Sequence, residues 1–393
     1  MANIFPFKAV RPRNGDTDCF ELLFKEEYIA AGSSPEIIDA PVSKTSSRPK
    51  KSGIQHGKTF GHLYTKYCLF KDQETLIPDA KPSVYIHRIT KKKITFTGII
   101  IATSIDDYNS NVIKKHEDTI LPRVEFFKKY LAQARFNTEP VLLTYPDDHQ
   151  SNKWISTKTS TAPDYQFDTV GHDNHELWKV DDPAQIIELQ KIFSKIPNLY
   201  IADGHHRCAS FSLLSKEEDK ENANYFMSFV IPESQLNIYG FDWMIKGLND
   251  HSVSEYLQLV ENGFDIEKLN VLKRPTQEGK IVMYLAGTAY LLTLKQKHQE
   301  KLLDVQVLLS YILEPVLGIY DIRNDRRISY FPGKGKAKKT QTLVDNQVHD
   351  VAFFLCPPKF SQIKKVADEG LTMPPKSTYI EPKFRNALLV YEL

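Results

Sequence analysis

The stretch LYIADGHHRCASFSLL, residues 199–214, constrains the fold more than any other. A short apolar run ends at Asp203 and Gly204, and an apolar helical pattern follows at once. Glycine tolerates positive φ, so Gly204 permits the sharp turn by which a strand passes straight into a helix. At such a junction the first helical N–H groups lack intrahelical partners. With the helix dipole they make a ready anion site. Arg207 adds a fork suited to phosphate or carboxylate. His205 and His206 add donors or a proton carrier. Asp203 could orient a histidine, hold Mg²⁺ or accept a hydroxyl proton. The plain alternative is an N-cap, a turn glycine and a surface ion pair. Five such residues in a row at a strand-to-helix turn favour a functional site.

The rest of the chain alternates between the two periodicities. SVYIHRI and ITFTGIIIAT read as paired strands around the basic turn at Lys91 to Lys93. NVIKKHEDTILPRVEFFKKYLAQARF begins as strand or turn and becomes a helix, with Pro122 in its first turn and Val124, Phe127, Tyr130 and Leu131 on one stripe. EPVLLTYPDD and YFMSFVIP read as strands, and DPAQIIELQKIFSKI as a helix capped by Asp182. Beyond residue 250, SVSEYLQLVENGF reads as a helix, GKIVMYLAGTAYLLTL as a hairpin and LDVQVLLSYILEPVLG as a strongly apolar helix ended by Gly318. VAFFLCPP, FSQIKKVADEG and NALLVYEL then read as strand, helix and last strand. Strands and helices mix throughout, which predicts an α/β (mixed α+β) protein with a mixed sheet. Residues 41–59, rich in Ser, Pro and Gly, read as a mobile surface loop. Its cations, Arg48, Lys50 and Lys51, are too few for a nucleic-acid arm.

Two further segments could join the turn. In IKKHEDT, residues 113–119, Glu117 could deprotonate a substrate hydroxyl, and Lys115 or His116 could steady phosphate charge. A solvated charged loop is the competing reading. In MPPKSTYIEPKF, residues 373–384, Lys376, Ser377 and Thr378 form a phosphate-friendly trio, although the glycines of a P-loop are missing. FPGKGKAKK reads as an exposed turn. GHDNH, with His172 and His175, offers at most half a metal site, and no metal ligands are assigned.

Bulk properties narrow the class. The 393 residues exceed one small domain, and 41% hydrophobic content affords a sizeable core. A formal net charge of +2 gives no general argument for nucleic acid or a membrane. The cysteines, Cys19, Cys68, Cys208 and Cys356, lie far apart and suggest reduced thiols in cytoplasm. MANIFPFKAVRPRNG lacks the features of a signal peptide, and no apolar run reaches the about 18 residues of a membrane span. The expectation is a soluble cytoplasmic protein with a small-molecule substrate.

Together FPFKAVRP, VIKKHEDT, YIADGHHR, ILEPVLGI and MPPKSTYIEPKFRNALLVY resemble, in order, the segments of a prokaryotic family known as domain of unknown function 1015. That family's central signature resembles the nucleotide-binding turn of the ParB and sulfiredoxin superfamily, and free serine kinases of the ParB-like type carry a similar Asp-Gly-His-His-Arg turn. The resemblance implies an N-terminal mixed α/β part at residues 1–150 and a ParB/sulfiredoxin-like nucleotide-binding core within 151–393. It implies ATP or ADP, with Mg²⁺, at Gly204, His206 and Arg207, aided by Lys115, Lys376, Ser377 and Thr378. The expected activity is a phosphotransferase acting on a small hydroxyl compound, serine or a related amino acid first. Glu117 or Asp203 would take the hydroxyl proton, and His116 or His205 would stabilise the transferring charge. A phosphatase with the same clamp and a non-catalytic nucleotide switch are the alternatives. A sulfiredoxin-like repair enzyme is weaker, because Cys208 follows the turn instead of lying inside it.

Overall fold

The computed structural model describes residues 1–13, 60–169, 173–218, 220–295, 302–335, 337–384 and 388–393. The loop at 41–59 and His172 lie outside them. The chain divides into two compact units. Unit 1 holds residues 1–115, 119–236 and 382–393, and unit 2 holds 116–118 and 237–381.

Unit 1 is built on a nine-stranded mixed sheet. Its strands are β1 (Ile4–Phe5), β2 (Val84–Lys91), β3 (Ile94–Ser104), β4 (Ile113–Lys114), β5 (Val141–Tyr145), β6 (Tyr165–Asp168), β7 (Asn174–Val180), β8 (Leu199–Asp203) and β9 (Tyr225–Pro232). The order is β4-β8-β5-β9-β3-β2-β7-β6, with β1 also on β3. Its helices include α1 (Leu121–Ala134), α2 (His149–Lys158), α3 (Pro183–Phe193) and α4 (His205–Leu214). Alternate residues of the central strands, such as Ile86, Ile99, Ile101, Leu143 and Ile201, join helix residues Phe193 and Phe211 in one core. That pattern follows from the period of two in a strand and 3.6 in a helix. Pro122 and Asp182 open α1 and α3 as their sequence positions predict. The Asp182 side chain accepts the Ala184 N–H at 3.0 Å.

The sequence-based boundary at residue 150 falls inside α2, within unit 1. Because β3 pairs with β9, about 120 residues later in the chain, a break at 150 would cut the sheet. The observed division comes at Leu236 and Asn237.

Unit 2 carries a six-stranded antiparallel sheet of β10 (Phe241–Ile245), β11 (Phe264–Leu269), β12 (Lys280–Leu285), β13 (Thr288–Leu294), β14 (Ile328–Pro332) and β15 (Val351–Leu355). The order is β11-β13-β12-β15-β10-β14. The helices α5 (Val253–Glu261), α6 (Lys338–Asp345) and α7 (Phe360–Asp368) accompany it. Ala286 and Gly287, both at positive φ, make the tight turn of the β12–β13 hairpin. The apolar run after Leu302 departs from a plain helix. Asp304–Leu308 is α-helical, Leu309–Leu313 widens to a π turn, and Glu314 donates to Leu309 O. Gly318, at φ 60°, ends it. Among the described residues no helix is long and apolar enough to cross a membrane.

Candidate functional site

The sheet order of unit 1 gathers several chain segments at the end of β8. Strand β4 runs parallel to β8, with Leu199 opposite Ile113, so Lys115 leaves the sheet at the end where Asp203 stands. Strand β5 runs antiparallel to β8, so the residues just before it, Glu139 and Pro140, come to that same end. The register slips between Ile201 and Asp203, an irregularity that turns the strand's last residues. Gly204 follows at φ 101° and caps α4, as the sequence reading required. A Cβ at Gly204 would lie 3.2 Å from the Arg207 guanidinium. The first intrahelical bond runs from the Cys208 N–H to Gly204 O, so the N–H groups of His205, His206 and Arg207 precede the ladder.

The Arg207 fork is engaged by the protein itself. Its Nη2 lies 2.9 Å from Asp203 Oδ2 and 3.0 Å from Glu139 Oε1. Its Nη1 donates to the carbonyls of Glu139 and Pro140. Lys383, brought in by the C-terminal segment, donates to Asp203 Oδ1 at 3.0 Å. The result is a compact group of two carboxylates and two cations at a helix N-terminus.

The two carboxylates are driven in opposite directions. Burial works to raise Asp203, but Lys383, Arg207 and His205 outweigh it and hold the carboxyl at about 2. Glu139 is raised, by burial first and by the neighbouring Asp203, against the pull of Arg207 and Lys383. Asp203 is therefore the fixed anion, and Glu139 is the more readily protonated carboxyl.

The remaining residues of the turn have distinct settings. His205 is buried. His206 accepts the Ile120 N–H at Nε2, 3.0 Å away, which pins the loop before α1 and puts the ring proton of a neutral His206 on Nδ1. Lys115 holds its Nζ 3.8 Å from the centre of the Tyr108 ring, and burial lowers its pKa. Cys208 is fully buried, and burial pushes its thiol up to about 12, so no thiolate nucleophile stands here at neutral pH.

The middle of the second motif, His116–Asp118, and residues 373–381 of the third belong to unit 2, where they meet each other. The Met373 N–H donates to His116 O at 2.8 Å, and Thr372 Oγ1 lies 3.3 Å from Asp118 Oδ2. His116 is buried, and Glu117 is half-buried beside it. Lys376, at φ 61°, is exposed and stands 5.3 Å from the centre of the Phe241 ring. Ser377 is buried and donates to Pro374 O at 2.5 Å, and Thr378 is half-buried. His175 belongs to a stacked pair with His87, Nε2 to Nδ1 3.0 Å. Among the described residues no three His, Cys, Asp or Glu side chains are grouped to hold a metal ion. A carboxylate pair suits Mg²⁺ only when phosphates supply further oxygens, since Mg²⁺ is commonly held by one or two carboxylates plus substrate phosphates.

The sequence reading missed Glu139 and Lys383. Glu139 stands in NTEPVLL with no motif around it, and Lys383 lies within the quoted MPPKSTYIEPKF but outside its trio. A carboxylate immediately before a strand antiparallel to β8 was the available signal. It needed the strand order to be read.

Fold and site define a mixed α/β protein with an acid-flanked, glycine-centred strand-to-helix turn. The chain belongs to the family described as protein of unknown function DUF1015, whose model matches residues 42–308. No curated protein matches it. Among solved structures it is similar to a conserved hypothetical protein from Pyrococcus furiosus, at 14% identity and TM-score 0.36, covering 76% of this chain and 96% of that one. It is similar to a free serine kinase in complex with AMP, at 14% identity and TM-score 0.36, covering 76% and 95%. A third is C-terminally truncated SbnI from Staphylococcus aureus, at 16% identity and TM-score 0.40, covering 74% and 87%.

Proposed function

We propose that this protein is a nucleotide-dependent phosphotransferase that uses ATP or ADP and acts on a small hydroxyl compound, serine or a related amino acid first. The observation that carries the reading is the pair of carboxylates driven apart around Arg207, at a glycine-capped helix N-terminus. Phosphoryl transfer asks for positioning, charge neutralisation and one group able to take a proton. The N–H groups of His205, His206 and Arg207, with the Lys115 ammonium, supply positive potential for phosphates. Mg²⁺ would enter with those phosphates, held by them and by Asp203, and would neutralise their charge. Arg207 acts here by bracing Glu139 and Asp203, since its fork is already filled. Asp203 at about 2 is a weak base near neutrality. The raised Glu139 is the better proton acceptor. Glu117, His116, Lys376, Ser377 and Thr378 remain candidates on the family resemblance.

The test is incubation of the purified chain with ATP or ADP, Mg²⁺ and a panel of amino acids and small alcohols. Phosphoserine or a relative is the expected product. Tight nucleotide binding with no turnover on any acceptor would overturn the reading in favour of a nucleotide switch. Release of inorganic phosphate alone would make the protein a phosphatase. Lys115→Ala should weaken nucleotide binding roughly tenfold, the worth of one charge-assisted hydrogen bond. Glu139→Gln and Glu117→Gln separate the two candidate bases, because the true base spares binding and loses turnover.

A further inference from the structure

A second cationic feature of unit 1 lies away from the turn, between α2 and α3. The Lys195 ammonium, just past α3, donates to Gln150 at the start of α2 at 3.0 Å, so the end of one helix lies beside the beginning of the other. Between them runs a groove of about 460 Å³. Lys153, Lys158, Lys191, Lys195 and His149 line it, and Glu188 is its single acid. Among the described residues none of the four lysines takes part in an ion pair. Lys158 Nζ lies 5.7 Å from the centre of the Trp154 ring. In a chain whose formal net charge is +2, four lysines against one glutamate concentrate the positive charge in one place.

A second observation is independent of the lysines. Trp154 lines the same groove and is only 4% exposed, yet its indole N–H is buried without a hydrogen-bond partner. A buried donor of this kind is normally satisfied. A groove lined by four lysines outside any ion pair and by one acid is complementary to an anion, and the partnerless indole in its wall is a local reporter of what binds there. Its ends limit the length of that anion. Asp147 and Asp148 precede α2, and Asp181 and Asp182 precede α3, so a long polyanion would meet carboxylates beyond the lysines. Helices of about ten residues span about 15 Å, the scale of a short phosphate chain.

We propose that the α2–α3 groove binds a small ligand bearing two or more phosphate groups, with Lys153, Lys158, Lys191 and Lys195 neutralising the phosphates against a wall that includes Trp154. The site is separate from the Asp203 turn and stands whether or not the turn transfers phosphate.

The full-length chain is titrated with pyrophosphate and with inorganic triphosphate while the indole ¹⁵N–H signals are followed by NMR. The sequence has three tryptophans, and loss of one signal in Trp154→Phe identifies Trp154. The expected result is a saturable shift of that signal, weakening as salt is raised. A Lys153→Gln/Lys191→Gln variant should weaken binding roughly tenfold or more, while Lys115→Ala should leave this titration unchanged. The proposal falls if Trp154 shows no saturable shift at millimolar probe, or if the double variant binds as the parent does. It also falls if Lys115→Ala moves the titration, which would place the probe at the turn. Preference for a single-stranded oligonucleotide over triphosphate would make the groove a nucleic-acid surface and overturn the small-ligand reading.

Discussion

Each unit contains an aspartate bound to an arginine, and the two pairs behave oppositely. In unit 1, Asp203 keeps 36% of its side chain exposed, meets Arg207 and Lys383, and is held at about 2. In unit 2, Asp242 has 3% of its side chain exposed. It meets Arg274 through Nε and Nη2 and accepts from Thr340 Oγ1 at 2.8 Å. Burial pushes Asp242 up despite those partners. At Asp242 one cation and a hydroxyl do not outweigh desolvation, whereas at Asp203 Lys383, Arg207 and His205 together do. The difference separates a sealed structural tie from an anion displayed at a helix terminus. Asp242 fastens β10 to Arg274, whose Nη1 continues to Gly335 O at 2.8 Å. Asp203 keeps an accessible face and a raised carboxyl neighbour, which is what proton chemistry can use.

Breaking the unit 2 pair should have the largest effect. Asp242→Ala leaves a mostly buried guanidinium unmatched and should cost about 3 kcal/mol in urea unfolding. A loss under about 1 kcal/mol would mean the pair is no tie. Gly204→Ala should cost about 1–2 kcal/mol, because an L-residue is strained at φ 101° and its Cβ presses on Arg207. Under the proposed function it should also lower nucleotide affinity, whereas Asp242→Ala should alter stability alone.

Lys383→Met should change stability by less than about 1 kcal/mol, since the ion pair is partly exposed. Its sharper readout is the carboxyl ¹³C titration of Asp203, whose midpoint should move upward from about 2. The pH dependence follows from the two directions. Asp203, depressed in the fold, contributes stability above the ordinary carboxylate range near 4 and loses it as pH falls toward 2. Asp242, raised in the fold, acts with the opposite sign and weakens unit 2 as pH rises through and beyond that range. Site-specific titration of both aspartates on the same side of 4 would erase the contrast.

Much of this architecture was legible in the chain. The strand, turn and helix at 199–214 follow from local rules: an apolar strand, a glycine able to reach positive φ, and helical spacing after it. The helices opened by Pro122 and Asp182 and the hairpin around Ala286 and Gly287 are local in the same sense. Other features were not legible. The strand FDWMI of unit 2 carries no clear boundary signal, helix α2 has an Asp148 N-cap but too few apolar positions to show a stripe, and the π turn at Leu309–Leu313 reads as ordinary helix in the sequence. The domain division at Leu236 depends on β9 joining β3, a pairing that no local pattern announces.

The sequence by itself determined that Gly204 would turn a strand into a helix and that Asp203, His205, His206 and Arg207 would cluster there, because residues adjacent in a tight turn cannot be far apart. Only the tertiary structure decided what surrounds them. Glu139 reaches Arg207 because β5 runs antiparallel to β8, and Lys383 reaches Asp203 from 180 residues away. Periodicity fixes which face of a strand is buried but not which strand lies beside it. Strand order, set by packing of the whole sheet, therefore chose the partners that hold Asp203 ionised and Glu139 raised.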